Sequence, residues 1–274
     1  MTLPTELGAS DLERLSAFAH RLADLSERFI LPRFRRRGTV DNKAAKNDQF
    51  DPVTDADLDA EDAIRKAIAK AYPDHRIVGE EFGVKDGSAG LSWFIDPIDG
   101  TKAFITGSPL WGTLIGLMAD GLPVLGLMNQ PFTGERYWSD GKRAWYRGPD
   151  GKTSGLETRR CARLGDAIMT TTSVDLLQAG LERDRFEALS GSVRMRRFGG
   201  DCYAYCLLAA GHIDLVVEAG LKPHDIAPLI PIIEHAGGTV SRWDGGYAAE
   251  GGRIVAAGDA SLHEAALAVL SATS

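Results

Sequence analysis

Four clusters of acidic residues stand out, because most of them fall where an apolar strand ends or a helix begins. They are Asp51, Asp55 and Asp57; Glu80 and Glu81; Asp96 and Asp99; and Glu218 with Asp225. Carboxylates are rarely placed beside buried strands unless something pairs them, and no comparable set of Lys or Arg lies nearby in sequence. A divalent cation such as Mg²⁺ is the natural partner. Each cluster taken alone is more often a helix cap or a solvated turn, so the prediction rests on their combination.

The segment WFIDPIDGTKAF, residues 93–104, places two of these acids at the end of an apolar strand. Pro97 fixes one φ angle and has no N–H to satisfy. A tight turn there can aim the side chains of Asp96 and Asp99 and the carbonyl oxygen of Ile98 at one point. The repulsion between the two carboxylates is then useful, because it makes the pair a strong site for a cation.

Gly100 and Thr101 follow directly and predict the start of a helical turn. Backbone N–H groups at such a start have no partner within the helix, so they can bind an anion such as phosphate. This short segment therefore predicts a metal site and a phosphate site side by side.

Hydrophobic periodicity predicts the elements that position the acids in the first half of the chain. A long amphipathic helix is expected over residues 10–34, and a second helix begins at Thr54 or Asp55 and ends near Tyr72, before Pro73. Residues 38–50 are polar and predict an irregular or hairpin-like segment. Residues 76–81 predict a short strand that ends in acids. Beyond residue 104 the pattern alternates, with hairpin turns expected at residues 120–121 and 140–141.

The second half of the chain alternates between strands and helices. Strands are predicted at residues 167–173, 193–199, 212–218 and 253–257, and helices near 182–190 and at 201–211, 223–237 and 259–271. Such alternation is typical of an α/β layer. We therefore predict one domain over residues 1–274, of α+β or α/β class, built from alternating layers of helices and sheets. Its subregions are about 1–148 and 149–274, with residues 148–155 as the candidate boundary.

Composition excludes several classes of function. The 274 residues carry a formal net charge of −7, which does not favour a protein that grips nucleic acid. The basic run Arg33–Arg37 is more simply a solvated helix end. No apolar run is long enough to span a membrane. Three cysteines without a signal peptide indicate buried thiols in a reducing compartment, so we expect a cytoplasmic protein with neither nucleic-acid nor membrane partners.

Four motifs, in order along nearly the whole chain, resemble those of the inositol monophosphatase-like, lithium-sensitive, Mg²⁺-dependent phosphatases. They are DPVTDAD (51–57), GEE (79–81), WFIDPIDGTKAF (93–104) and HDIAPLIPIIEHAGG (224–238). The resemblance implies a layered αβαβα sandwich, a homodimer, two or three Mg²⁺ ions per active site and a small phosphate monoester as substrate.

The resemblance also implies roles for individual residues. The metal ligands are Glu80, Asp96, Asp99 and Asp225 through their side chains and Ile98 through its carbonyl oxygen. Thr101 and Asp57, together with Glu80, orient and deprotonate the attacking water, and Gly100 and Thr101 contact phosphate. Expected substrate contacts are Lys46, Asp99, Gly199, Gly200, Asp201, Glu218 and Asp225.

Three departures resemble the histidinol-phosphate phosphatase branch of the family. His224 stands where the inositol branch usually has Trp, the substrate loop reads FGGDCYAY (198–205), and Lys102 is followed by a Thr-Gly-Ser-Pro segment at residues 106–109. Asp201, with Glu218, can pair with the ammonium or imidazole of histidinol phosphate.

Other interpretations stay open at this point. Asp201 is equally suited to cap the following helix, and His224 is either a substrate contact or an ordinary residue at a helix start. The rival substrates are an inositol phosphate, a sugar phosphate or a 3′-phosphonucleotide. A non-catalytic regulatory protein is a further alternative, against which the complete set of motif acids argues.

Overall fold

Eight α-helices are present in the part of the chain that the computed structural model describes, residues 7–36, 38–43 and 51–271. They are α1 (Ala9–Ile30), α2 (Asp55–Ala71), α3 (Thr101–Ile105), α4 (Leu181–Ser192), α5 (Asp201–Ala209), α6 (Pro223–Ile226), α7 (Ile230–His235) and α8 (Ala260–Leu270). A 3₁₀ turn, Leu31–Arg33, follows α1. None of these helices combines the length and the apolar content that a membrane crossing would need.

The strands form a large sheet, a small sheet and a short ribbon. The ribbon pairs β1 (Val40–Asn42) with β2 (Pro52–Thr54). The large sheet contains β3 (Arg76–Gly79), β4 (Gly83–Lys85), β5 (Leu91–Asp99), β6 (Gly112–Ala119), β7 (Leu122–Gln130), β8 (Glu135–Ser139), β9 (Ala144–Arg147) and β10 (Thr153–Gly155). The small sheet contains β11 (Ile168–Thr171), β12 (Met195–Phe198), β13 (Leu215–Leu221), β14 (Thr239–Arg242) and β15 (Gly252–Ala257).

The large sheet has the order β10-β9-β8-β7-β6-β5-β3-β4 and is antiparallel except between β3 and β5. The small sheet has the order β12-β11-β13-β15-β14, with parallel pairing from β12 to β13 and antiparallel pairing beyond. The hairpin turns at residues 120–121 and 140–141 lie where the sequence predicts them.

Alternating side chains of the central strand β5 divide the core between two layers. Trp93 and Ile95 pack against α1 and α2 on one face of the large sheet. Phe94 faces the opposite layer, where α5 and α7 fill the space between the two sheets. On the far side of the small sheet, α4 and α8 cover a third cluster. This α–β–α–β–α stacking confirms the predicted layered sandwich.

The predicted helix over residues 223–237 is instead the two short helices α6 and α7. Pro228 lies between them and has no N–H for a helical hydrogen bond. Its carbonyl oxygen approaches Gly126 of β7 so closely that a Cβ added there would lie 1.8 Å away. The interruption therefore allows the chain to pack directly on the large sheet.

Smaller differences concern element boundaries. The predicted strand over residues 212–218 begins at Leu215, because the N–H of His212 still closes the preceding helix by donating to the carbonyl of Leu207. Glu218 therefore lies within β13 rather than at its end. Helix α1 ends at Ile30, where Pro32 enters the following 3₁₀ turn. The candidate boundary at 148–155 includes β10, which still belongs to the large sheet. All three cysteines are buried free thiols, as predicted.

Candidate active site

Several of the motif acids line a cleft of about 890 Å³ where the ends of β3 and β5, the start of α5 and the segment from β13 to α6 meet. Its lining includes Glu80, Asp96, Ile98, Asp99, Gly100, Thr101, Asp201 and Asp225. Four segments that are distant in sequence are thus brought together in one cleft.

A β-bulge at the end of β5 aims the acids into this cleft. Asp96 pairs with Leu114 and Asp99 with Gly112, so β5 carries one extra residue between the two pairs. Pro97 occupies the bulge, where a missing N–H is tolerated. The N–H of Ile98 donates to Asp96 Oδ1 at 3.0 Å, which holds the turn closed.

Three carboxylates converge closely enough to hold one cation. One oxygen from each of Asp96, Asp99 and Asp225 lies within 4.8 Å of the others. Asp225 comes from α6, and its Oδ2 accepts the N–H of Lys222 at 2.7 Å. Glu80 follows β3 beside these three acids: its side chain shares a hydrogen bond with Asp96, and its Oε1 accepts from Lys43 Nζ at 2.8 Å.

Crowding of these acids changes their proton affinity. Burial, followed by the charges of Glu80, Asp99 and Asp225, raises the pKa of Asp96 well above its usual value. Burial and the charges of Asp201 and Asp225 do the same to Asp99. The pKa of Asp225 rises to about 7, mainly through burial. Convergent carboxylate oxygens that raise one another's proton affinity are a donor set that suits a hard divalent cation.

Asp57 is held in place through one of its oxygens only. Thr54 caps α2, and its N–H and hydroxyl donate to Asp57 Oδ2 at 2.8 and 2.5 Å. The other oxygen, Oδ1, is buried and has no hydrogen-bond partner among the described residues. Burial raises the pKa of Asp57 to about 6. This oxygen is therefore available to accept a proton.

Gly100 and Thr101 form the turn between β5 and α3. Gly100 has φ +88°, a left-handed conformation that favours glycine. The Thr101 hydroxyl donates to the carbonyl of Ile98 at 3.1 Å. Because Asp57 is bonded to Thr54, the described structure contains no direct hydrogen bond between Asp57 and Thr101.

The loop before α5 has a strained backbone. Gly199, Gly200 and Asp201 all have positive φ, and Asp201 is one of few non-glycine residues that do. Its N–H donates to Thr172 Oγ1 at 3.0 Å. Gly200, not Asp201, occupies the cap position of α5, so the capping interpretation of Asp201 is not met. Strain of this kind is typical of functional sites.

Glu218 and Asp201 lie at the inner end of the cleft. A recess of about 40 Å³ there is lined by four carboxylates together with one threonine, one cysteine, one tyrosine and three leucines; the carboxylates are those of Asp99, Asp201, Glu218 and Asp225. Burial and the charge of Glu218 raise the pKa of Asp201 to about 7. Glu218 itself accepts from the N–H and hydroxyl of Thr172 at 2.9 and 2.5 Å, and from the hydroxyl of Tyr205 at 3.2 Å.

Glu61 is a positioning residue that the motif pattern did not reveal. Its buried carboxylate accepts the N–H groups of Glu81 and Phe82 at 2.8 and 3.1 Å and pairs with Arg65. A Cβ on Gly79 would lie 2.0 Å from this carboxylate, so the GEE turn requires glycine there. The sequence signal was an acid among the buried positions of α2.

Three further residues near the motifs are His224, Lys46 and Lys43. His224 is buried, and its Nε2 lies 3.3 Å from Asp225 Oδ1 without hydrogen-bond alignment. Lys46 lies outside the described residues. Lys43, which was not predicted, contacts both acids of the GEE motif.

A second cleft, of about 950 Å³, shows that volume alone does not identify the site. Arg33, Arg35 and Arg36 line it beside the N-terminus of α2. Arg33 pairs with Asp59, and Arg35 Nε donates to the carbonyl of Gly107 at 3.0 Å, so these arginines support neighbouring elements. The acid-lined cleft is the one whose groups can act together chemically.

The sequence and the fold agree with known proteins of one class. The sequence pattern of the Inositol monophosphatase family matches residues 11–273. The chain belongs to this family of phosphatases, whose members are generally metal-dependent and act on small phosphate monoesters.

Individual relatives are named after different phosphatase activities. The chain is 41% identical over 276 residues to the "Bifunctional phosphatase IMPL2, chloroplastic" of Arabidopsis thaliana, covering 96% of this chain and 77% of the relative. It is 34% identical over 253 residues to the "Histidinol-phosphatase" of Mycobacterium tuberculosis, covering 92% and 95%. A solved inositol monophosphatase from Zymomonas mobilis superimposes with a TM-score of 0.83 at 40% identity, over 95% of this chain and 98% of that one.

Proposed function

We propose that this chain is a Mg²⁺-dependent phosphomonoesterase that hydrolyses L-histidinol phosphate to L-histidinol and phosphate in histidine biosynthesis. The observation that carries the substrate assignment is the acidic recess at Asp201. Histidinol phosphate carries an ammonium and an imidazole beside its phosphate, whereas a cyclitol phosphate offers only hydroxyl groups to the same recess. A cationic group would neutralise carboxylates that otherwise repel each other.

Within the recess, Asp201 is the better partner for the ammonium. A carboxylate has about four lone-pair positions, and Glu218 already uses three of them for Thr172 and Tyr205. Glu218 therefore has room for one further donor, such as an imidazole N–H. The N–H of Asp201 is fixed by Thr172, which orients the residue at the entrance of the recess.

Relatives support the same substrate class. A protein named histidinol-phosphatase covers nearly all of this chain at 34% identity. His224, the Asp201 loop and Lys102 follow the same branch, as the resemblance implies.

The roles of the site residues follow from their geometry. Asp96, Asp99, Asp225, Glu80 and the Ile98 carbonyl would hold two or three Mg²⁺ ions. When bound, such ions act as Lewis acids and lower the pKa of a coordinated water. The convergent carboxylates of the cleft would thereby lose their mutual repulsion.

Two residues would then act on the attacking water. The Thr101 hydroxyl donates its hydrogen to the Ile98 carbonyl. Its oxygen can therefore only accept a hydrogen bond from the water, and this contact would orient the water. Asp57 Oδ1 is unpaired among the described residues, and the pKa of Asp57, about 6, suits a general base near neutral pH. The N–H groups that follow Gly100 would contact the phosphate.

A phosphate-release panel tests this proposal. L-histidinol phosphate, inositol 1-phosphate, a sugar phosphate and a 3′-phosphonucleotide are compared at saturating Mg²⁺, with EDTA as the control. We expect kcat/KM for histidinol phosphate to exceed the others by at least about tenfold. Faster hydrolysis of inositol 1-phosphate would overturn the substrate assignment, and full activity in EDTA would overturn the metal assignment.

Inositol 1-phosphate is the second candidate substrate. The observation in its favour is the 40% identity to a solved protein that is named an inositol monophosphatase. We also propose a homodimer and inhibition by Li⁺, as the family resemblance implies. Light scattering and a Li⁺ arm of the same panel test these two points.

A further inference from the structure

Lys43 is a cation placed at the edge of the acidic cleft. Its Nζ donates to Glu80 Oε1 at 2.8 Å and to Glu81 Oε1 at 2.9 Å. The Lys43 side chain is 23% exposed, against 12% for Glu80 and 2% for Glu81. The contacts are thus shielded from solvent and are stronger than surface ion pairs.

The backbone of Lys43 is also anchored. Its N–H donates to the carbonyl of Asp51 at 2.8 Å, next to the β1–β2 ribbon, where Asn42 pairs with Pro52. The ammonium therefore connects this ribbon to the GEE turn and does not reach the acids by chance from a free chain.

Glu80 and Glu81 differ in what else they contact. Glu80 adjoins the convergent carboxylates, because it lines the same cleft and its side chain shares a hydrogen bond with Asp96. Glu81 is not among the residues that line this cleft, and its N–H donates to Glu61 Oε2 at 2.8 Å. Glu80 can therefore turn towards a cation bound by the cluster, while Glu81 keeps its place.

We propose that Lys43 is an internal counter-ion of the metal site: it holds Glu80 in the metal-free protein, and divalent cation binding transfers Glu80 to the metal while Glu81 retains the ammonium. The inference rests on the proposed metal site, and it adds a residue that sets the affinity of that site. Two oppositely directed consequences follow from the charges involved.

Removing the ammonium should tighten metal binding. In Lys43→Met, Glu80 has no competing partner and one positive charge has left the neighbourhood of the cation. We expect the Kd for Mg²⁺ to fall by about tenfold, which corresponds to about 1.4 kcal/mol, because one nearby positive charge no longer opposes the cation.

Removing the second acid should weaken metal binding. In Glu81→Gln, Glu80 is the remaining acidic side chain that Lys43 contacts among the described residues, so the ammonium competes harder for it. We expect the Kd for Mg²⁺ to rise by about threefold to fivefold. The double variant Lys43→Met/Glu81→Gln should bind as tightly as Lys43→Met, because without the ammonium Glu81 no longer matters.

The experiment is a Mg²⁺ titration by calorimetry, with the metal-induced shift of Tm as a second measurement, at constant pH and ionic strength. Lys66→Met is the matched control, since Lys66 pairs with Asp62 in a solvent-exposed ion pair on α2 and its Kd should match that of the wild type. Opposite shifts in the two single variants, with the double variant following Lys43→Met, support the inference.

Two results would overturn different claims. If Mg²⁺ binds the wild type but Lys43→Met changes the Kd by less than twofold or weakens it, Lys43 is not a competing counter-ion, and the proposed function stands. If the wild type binds no Mg²⁺ at millimolar concentration, the proposed metal site itself is wrong.

Discussion

Two buried aspartates in this molecule, Asp214 and Asp96, have opposite surroundings. Asp214 is 0% exposed and accepts from the guanidinium of Arg159 and from the N–H of Ile168 at 2.7 Å. Asp96 is 1% exposed, yet it accepts from the N–H of Ile98, shares a side-chain hydrogen bond with Glu80, and lies beside the charges of Glu80, Asp99 and Asp225. A buried acid that serves the fold is paired, whereas the cleft acids are left to repel each other.

The difference between the two aspartates concerns both the stability of the protein and the binding of a cation. A buried charge normally needs a partner, or it destabilises the protein. Asp214 joins the segment before β11 to the start of β13 and stabilises the native state. Asp96 and its neighbours give up that stability, and we propose that they bind an added cation instead.

The largest expected effect is the loss of turnover when the cleft acid Asp96 is changed. Asp96→Asn should lower kcat/KM by about a thousandfold, because several kcal/mol of charge stabilisation at the metal are lost. The Tm of the metal-free variant should equal or exceed that of the wild type, because one repelling charge has gone. Steady-state kinetics and thermal unfolding in EDTA measure both quantities. Near-normal turnover at saturating Mg²⁺ would contradict the proposed role of Asp96.

Changing the paired acid, Asp214, should have the opposite result, with a loss of stability and little loss of turnover. Asp214→Asn should lower the free energy of unfolding by about 2 kcal/mol, at the modest end for a buried pair because the Arg159 side chain is half exposed. At temperatures where the variant is folded, kcat/KM should stay within about twofold of the wild type. Urea unfolding and kinetics test this, and a loss of turnover without a loss of stability would contradict it.

The stability of the metal-free protein should depend on pH through the acids of the cleft. Burial and like charges raise the pKa of Glu81, Asp201 and Asp225 to about 7 and that of Asp57 to about 6. The native state then binds more protons than the unfolded chain, so the stability of the metal-free protein falls as pH rises from about 4 to 7.

The measurement is Tm against pH, with EDTA and with Mg²⁺. We expect Tm in EDTA to fall by about 5 °C across that range. With Mg²⁺ the fall should be smaller, because the cation favours the ionised forms. Parallel curves with and without metal would show that the cleft acids do not bind it.

The smallest expected effect concerns substrate recognition. Asp201→Ala should raise KM for histidinol phosphate by about tenfold, because a charged contact is lost, and change KM for a plain phosphate ester little. Asp166→Ala is the matched control, since this exposed acid pairs with Arg163 away from the cleft. Equal increases for both esters would assign Asp201 a structural role alone.

Local patterns predicted most of the fold. Apolar periodicity placed α1, α2 and α8 within a few residues, and Asp-Gly pairs marked both hairpin turns. These succeeded because helix and strand periods and turn chemistry are properties of neighbouring residues. The split of residues 223–237 was missed although Pro228 is a local signal for it, and the close packing of Pro228 on Gly126 of a distant strand is not visible in the sequence.

The motif acids and their order along the chain are local facts as well, and they sufficed for the family and for the reaction class. DPID contains its own turn, because proline and the bulge act within four residues. The candidate metal ligands could therefore be named before any contact was known.

The partners of those acids were decided by the tertiary structure. Glu61 under the GEE turn, Thr172 on Asp201 and Glu218, and Lys43 on Glu80 join residues that are 20 to 46 positions apart. Sequence spacing carries no information on such pairs, because they form only when separate elements pack together. The residue types thus specified which groups can bind a cation and a phosphate, and the packing of two sheets specified which of them are left unpaired to do so.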